Sequence, residues 1–196
     1  MSFQWLPFLT YAIITAATPG PNNIMSMTNG NRKGFVKALP FNVGILIGFF
    51  CVLTLCTLFC GILSEWIPKL KTPMLICGAA YILWLAWDTF RSDGTINENN
   101  TKAGLVSGML LQFINPKFYL YCIMSLEAYI LPVYHGNLPM ILLFDLILAL
   151  IAFGFTLLWS AFGSAFRKLF SDHTKVVNTV LALLLVYCAV ALFLSS

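Results

Sequence analysis

The chain has 196 residues, 60% of them hydrophobic and 9% charged, with a mean hydropathy of +0.88. Soluble domains carry roughly 25% charged residues, so a chain this apolar exceeds what a globule can hide, and the bilayer is its expected solvent. The net charge of +4 is dispersed rather than gathered into a basic patch with interleaved aromatics, which argues against a nucleic-acid partner.

Six segments reach the roughly 20 apolar residues of a transmembrane helix: 4–28, 39–63, 71–91, 105–128, 138–163 and 175–194. The first 31 residues hold no charge. Without the basic start of a signal peptide, the opening segment reads as a retained helix. It is interrupted by Thr18-Pro19-Gly20-Pro21-Asn22-Asn23. Proline inside a helix removes a donor and clashes with a carbonyl one turn back. In hydrocarbon the freed groups must find partners or line a cavity. The second segment carries Asn42, which could line a cavity or bond a neighbouring helix, and a Gly44-Gly48 pair in GxxxG spacing, a close-packing signal. A polar stretch, Ser92 to Lys102, follows the third segment near mid-chain. It reads as the linker between two halves, 1–92 and 103–196, of one transmembrane domain. The fourth segment is broken at Asn115-Pro116-Lys117, with Gln112 one turn earlier. The fifth holds Asp145, the one acidic residue inside an apolar run. The sixth completes the second half.

The loops set the orientation. Arg32, Lys33 and Lys37 in the first, Arg91 and Lys102 in the third, and Arg167, Lys168 and Lys175 in the fifth make eight basic residues on one side. Only Lys69 and Lys71, in the second loop, lie opposite. This bias puts loops one, three and five in the cytoplasm and both termini outside. Pro19 and Pro116 are 97 residues apart. The same offset lays the second segment on the fifth and the third roughly on the sixth. Each half has three helices, so the halves cross in opposite senses. The expected fold is an all-α membrane protein of six helices in two inverted repeats, with helices one and four broken near the midplane.

Thr18-Pro19 and Asn115-Pro116 share one logic: a polar residue as N-cap, then a proline at the first helical position. Each break then starts a half-helix whose free amides and positive dipole end suit a carboxylate. Paired interruptions in equivalent positions point to a transporter site; the plainer alternative is two packing kinks. A lysine midway along a transmembrane helix costs roughly 2.5–3.5 kcal/mol. Lys117 therefore either draws a substrate carboxylate or pairs with a structural group. Asp145 could shuttle protons or meet a substrate amine, or sit at the interface, or pair with Lys117. Glu65, Asp88, Glu127, His135, Asp172 and His173 fall at helix ends or loops and are assigned no chemistry.

Neither HExxH nor GxSxG occurs, and the two histidines fall on opposite sides, so no enzyme, metal or cofactor is expected. The six cysteines form no CxxC pair and read as small apolar fillers. A thiol electron carrier would need a reactive cysteine near each break, and helix one has none. A passive channel remains the other alternative.

The run from Ile13 to Asn23 resembles the signature of the LysE/RhtB amino-acid exporters, and so does Gln112-Phe113-Ile114-Asn115-Pro116-Lys117. Gly78 to Trp87 resembles the family's third helix, and Val180 to Val190 is most similar to its cysteine/O-acetylserine efflux branch. The resemblance covers essentially the whole chain. It implies a multi-pass protein of the bacterial inner membrane that exports small neutral amino acids, driven by the proton gradient. Cysteine and O-acetylserine come first, then homoserine and threonine. The substrate site would comprise Thr18, Pro19, Gly20, Pro21, Asn22, Asn23, Gln112, Asn115, Pro116 and Lys117. Protons and lipid would be its other partners, with a homo-oligomer possible. Asp145 stands outside the family pattern, so its coupling role rests on physics alone.

Overall fold

A computed structural model describes residues 3–91, 101–166 and 174–194. No strand occurs among them. The helices are α1 (Trp5–Ala17), α2 (Pro21–Lys33), α3 (Phe35–Leu58), α4 (Cys60–Arg91), α5 (Thr101–Ile114), α6 (Pro116–Ser125), α7 (Leu131–Tyr134), α8 (Leu138–Ala165) and α9 (Thr174–Leu194). A π-turn, Leu126–Ile130, joins α6 to α7. The helices α3 and α8 are by themselves long and apolar enough to cross a membrane. The two interrupted helices differ. At 13 residues each, α1 and α2 measure about 20 Å, so neither half alone matches a core of about 30 Å.

The two breaks fall where the sequence places them, with one correction. Thr18 does not cap the second half of helix one; it closes α1, and Gly20 precedes Pro21 at the first turn of α2. The cause is the doubled proline. A residue before proline is driven to extended backbone. Thr18 (φ −62°, ψ 143°) and Gly20 (φ −163°, ψ 175°) both obey, so helix resumes only after Pro21. At the other break a single proline interrupts a single residue, Asn115, and Pro116 opens α6 as expected. The prolines that start the two half-helices, Pro21 and Pro116, are thus 95 positions apart rather than 97.

Two expected loops are shorter than the charge pattern suggests. The first reduces to Gly34, whose φ of 80° only glycine adopts freely. Arg32 and Lys33 belong to the last turn of α2 and Lys37 to the start of α3. The second is a turn at Phe59, and the backbone around Lys69 and Lys71 is helical within α4. Charge reports proximity to water, not a failure of backbone hydrogen bonding. The linker at 92–100, together with Arg167, Lys168, Asp172 and His173, lies outside the described residues.

Packing is inverted relative to a soluble protein. The most polar helix, α2, is largely buried: Asn22, Asn23, Ser26, Thr28 and Gly30 all face inward. Leu6, at 79% exposure, and Leu183, at 62%, face outward. Helix α3 lies along α5, α2 along α8, and α4 along α9. Glycine permits the first two contacts. A Cβ on Gly44 would stand 2.0 Å from the Leu105 carbonyl oxygen, and one on Gly108 would stand 2.2 Å from that of Phe41. Gly30 meets Ser160 and Gly163 meets Met27 just as closely. The Gly44-Gly48 pair therefore packs within the chain. These contacts cluster toward the end bearing Arg32, whose guanidinium pairs with Asp88 at 3.7 Å. Beside it, burial and then the Arg32 charge push the Lys33 ammonium below its ordinary pKa. The opposite end is aromatic instead: Phe3, Trp5, Phe8, Tyr134 and Phe144 stack at centroid distances of 4.6–6.5 Å.

Gly44→Val and Gly108→Val are expected to lower the melting temperature of the detergent-solubilised protein, each by an overpacking cost of about 1–3 kcal/mol or more. Gly154→Ala should leave it unchanged or slightly raised, since nothing lies within 4 Å of a Cβ there. Thermal unfolding followed by tryptophan fluorescence reads both.

Candidate functional site

The two breaks meet. Asn22, one residue into α2, exchanges two hydrogen bonds with Gln112 of α5. Its Nδ2 donates to Oε1 at 2.7 Å, and Gln112 Nε2 donates back to Asn22 Oδ1 at 3.1 Å. Asn115 Nδ2 donates to the same oxygen at 3.3 Å. All three amides are buried. The side chain of Asn115 therefore does not cap α6, although the residue occupies the N-cap position.

Lys117 crosses the same gap in the other direction. Its Nζ donates to Thr18 Oγ1 at 2.8 Å and to the Thr18 carbonyl at 3.2 Å. Asn23 Nδ2 donates to the carbonyls of Ala16 and Thr18, at 2.8 and 2.9 Å. Trp159 Nε1 donates to that of Ala17 at 3.3 Å. The carbonyls that α1 leaves at its C-terminus are thus consumed by side chains. The amides that open α2 are not: its first internal bond runs from Ile24 N–H to the Gly20 carbonyl, and no side chain caps the turn. The start of α6 is likewise uncapped by any side chain, although the Phe118 N–H reaches the Asn115 carbonyl at 3.0 Å. Orphan donors and positive dipole ends attract an anion.

These groups border one cavity. Gly20, Pro21, Asn22, Asn23, Asn115 and Lys117 line it, as their sequence context suggests. A Cβ on Gly20 would stand 3.0 Å from Lys117 Nζ, a tight approach to the lysine's tip. Thr18 reaches the cavity only through Lys117, Gln112 only through Asn22, and Pro19 is exposed. The backbone of Pro116 starts α6; its side chain is outside the described residues. Asn42 bonds the Ala38 carbonyl and stays off the cavity. Sequence reasoning missed the apolar wall of Phe49, Phe118, Tyr121 and Ala152, together with Thr15 and Thr156. Residues of these types are spread along every segment, and no local signal separates lining from packing.

Asp145 lies off the cavity and is not bonded to Lys117. It is fully buried on α8, where Thr57 Oγ1 donates to its Oδ2 at 2.7 Å and its Oδ1 has no partner. It lies seven residues from Ala152, about 10 Å along the helix toward the aromatic end. Cys122 has a neighbour that spacing could not reveal: its thiol meets that of Cys56 from α3, beside Asp145. Neither cysteine belongs to helix one, so the paired arrangement of a thiol carrier is absent among the described residues.

A family model described as LysE type translocator matches residues 13–196. The chain is 36% identical over 187 residues, 95% of each chain, to a protein named "Cysteine/O-acetylserine efflux protein" from Salmonella typhimurium. It is also 36% identical over 184 residues, 93% of each, to one of the same name from Klebsiella pneumoniae. Escherichia coli relatives of that name match at the same level. No solved structure matches. The chain belongs to the LysE type translocator family.

Asn22→Leu would leave the amides of Gln112 and Asn115 buried with a partner missing. The expected loss is about 1–3 kcal/mol of stability. Asn29→Ala removes only a bond to its own helix, at the Met25 carbonyl, and should cost less than about 1 kcal/mol. Chemical denaturation of the two variants in one detergent makes the comparison.

Proposed function

We propose that this LysE-family protein exports small neutral amino acids, cysteine and O-acetylserine first among them, from the cytoplasm across a bacterial inner membrane. The observation that carries this reading is the convergence of two uncapped half-helix starts and Lys117 on one cavity. Free helix-start amides and an ammonium are the donors a carboxylate requires. The names of the curated relatives supply the substrate class and the direction.

The topology that fits is six spans in two inverted halves, 1–92 and 103–196, with both termini outside and the Arg32 end in the cytoplasm. In that frame α2 and α5 are the cytoplasmic half-helices. They are sealed onto α8 and α3 by backbone contact at glycine. The outer halves meet more softly: Tyr11 stacks on Tyr121 with ring centroids 6.1 Å apart. Alternating access then consists of parting these two closures in turn around a fixed cavity. Substrate enters when the cytoplasmic closure opens, and its carboxylate takes over Lys117 from Thr18. Asp145, on the outer side of the cavity, is the coupling carboxylate. Its unpartnered oxygen is the one that accepts the proton.

Flux into proteoliposomes tests each part. Wild type should accumulate cysteine against its gradient when protons run the other way, whereas a passive channel would only equilibrate it. Lys117→Ala should cut flux by about tenfold or more, the worth of a hydrogen bond to a charged group; undiminished transport would remove Lys117 from binding. Asp145→Asn should flatten the response to an imposed pH gradient. A response as steep as wild type would place coupling elsewhere.

A further inference from the structure

The polar groups around the cavity include acceptors that an anion cannot satisfy. The Asn22 oxygen is filled, taking one donor from Gln112 and one from Asn115, while its nitrogen donates to Gln112. The other two asparagines are half-spent. Asn23 commits its nitrogen to the Ala16 and Thr18 carbonyls, and Asn115 commits its own to Asn22. An amide anchored through nitrogen presents its oxygen the other way. Asn115 Oδ1 has no partner although the residue is only 3% exposed. No described donor reaches Asn23 Oδ1. Both residues line the cavity, one from each half of the chain. The Asn115 oxygen is buried in this state, and a turn of its amide about the soft χ2 torsion would release the bond to Asn22 and offer the oxygen to a ligand in the cavity.

A carboxylate alone would satisfy Lys117 and the helix starts and leave these two oxygens orphaned beside new negative charge. A carboxylate with an ammonium on the next carbon satisfies both sets. We infer that the carbonyl oxygens of Asn23 and Asn115 form the seat of the substrate's α-ammonium. The inference rests on the exporter reading and narrows its substrate to amino acids whose amine is free. O-Acetylserine, acylated on its side-chain oxygen, passes this filter; its isomer N-acetylserine does not. Phe49, Phe118, Tyr121 and Ala152 leave a short side chain an apolar wall.

Titration calorimetry on the purified full-length protein in detergent separates the two ends of the ligand. The probes are cysteine, 3-mercaptopropionate (no amine) and cysteamine (no carboxylate). Wild type should bind cysteine at least about tenfold tighter than 3-mercaptopropionate. Asn23→Ala and Asn115→Ala should each weaken cysteine and cysteamine by about tenfold and leave 3-mercaptopropionate within about twofold. Lys117→Ala should do the reverse, sparing cysteamine. The ratio of two affinities on one preparation does not depend on the fraction folded. Asn115→Asp, which keeps an acceptor, should restore cysteamine binding. Wild type binding 3-mercaptopropionate as tightly as cysteine, or asparagine variants weakening both half-ligands equally, overturns the amine seat while flux leaves the exporter reading standing. Absence of both cysteine binding and cysteine flux overturns the two together.

Discussion

The reciprocal amide pair between Asn22 and Gln112 is the contact on which the rest of the structure depends. It joins side chains 90 positions apart, one from each broken helix. Breaking a helix in an apolar surrounding releases carbonyls and amides that must be answered. Here the carbonyl side is answered internally by Asn23, Lys117 and Trp159. The amide side is left open. The amide pair fixes the two breaks at one level, so that both open starts border one cavity rather than two unrelated kinks.

Around that centre the packing grades from rigid to soft. At the Arg32 end, backbone meets backbone at Gly30, Gly44, Gly108 and Gly163, and no side chain can adjust without steric cost. At the other end rings touch rings, so the contact is between side chains rather than backbones. Lys117 and Asp145 are kept apart within the bundle. Lys117 lines the cavity, whereas Asp145 does not and takes its hydrogen bond from Thr57.

What the sequence by itself determined is what depends on neighbours along the chain. Helical segments, the breaks at residues 18–23 and 115–117, and the close-packing Gly44-Gly48 pair follow from hydrophobic runs, proline chemistry and short spacings. Even the choice of Pro21 over Pro19 as helix start is local, once the extended backbone before each proline is applied. The tertiary structure alone decided the pairings: Lys117 with Thr18, Asn22 with Gln112, Asp145 with Thr57, Cys56 with Cys122. Each joins residues 66–99 positions apart. At that separation the partner is set by how helices cross, and a glycine admitting one backbone to another shifts the crossing by more than a hydrogen bond's tolerance.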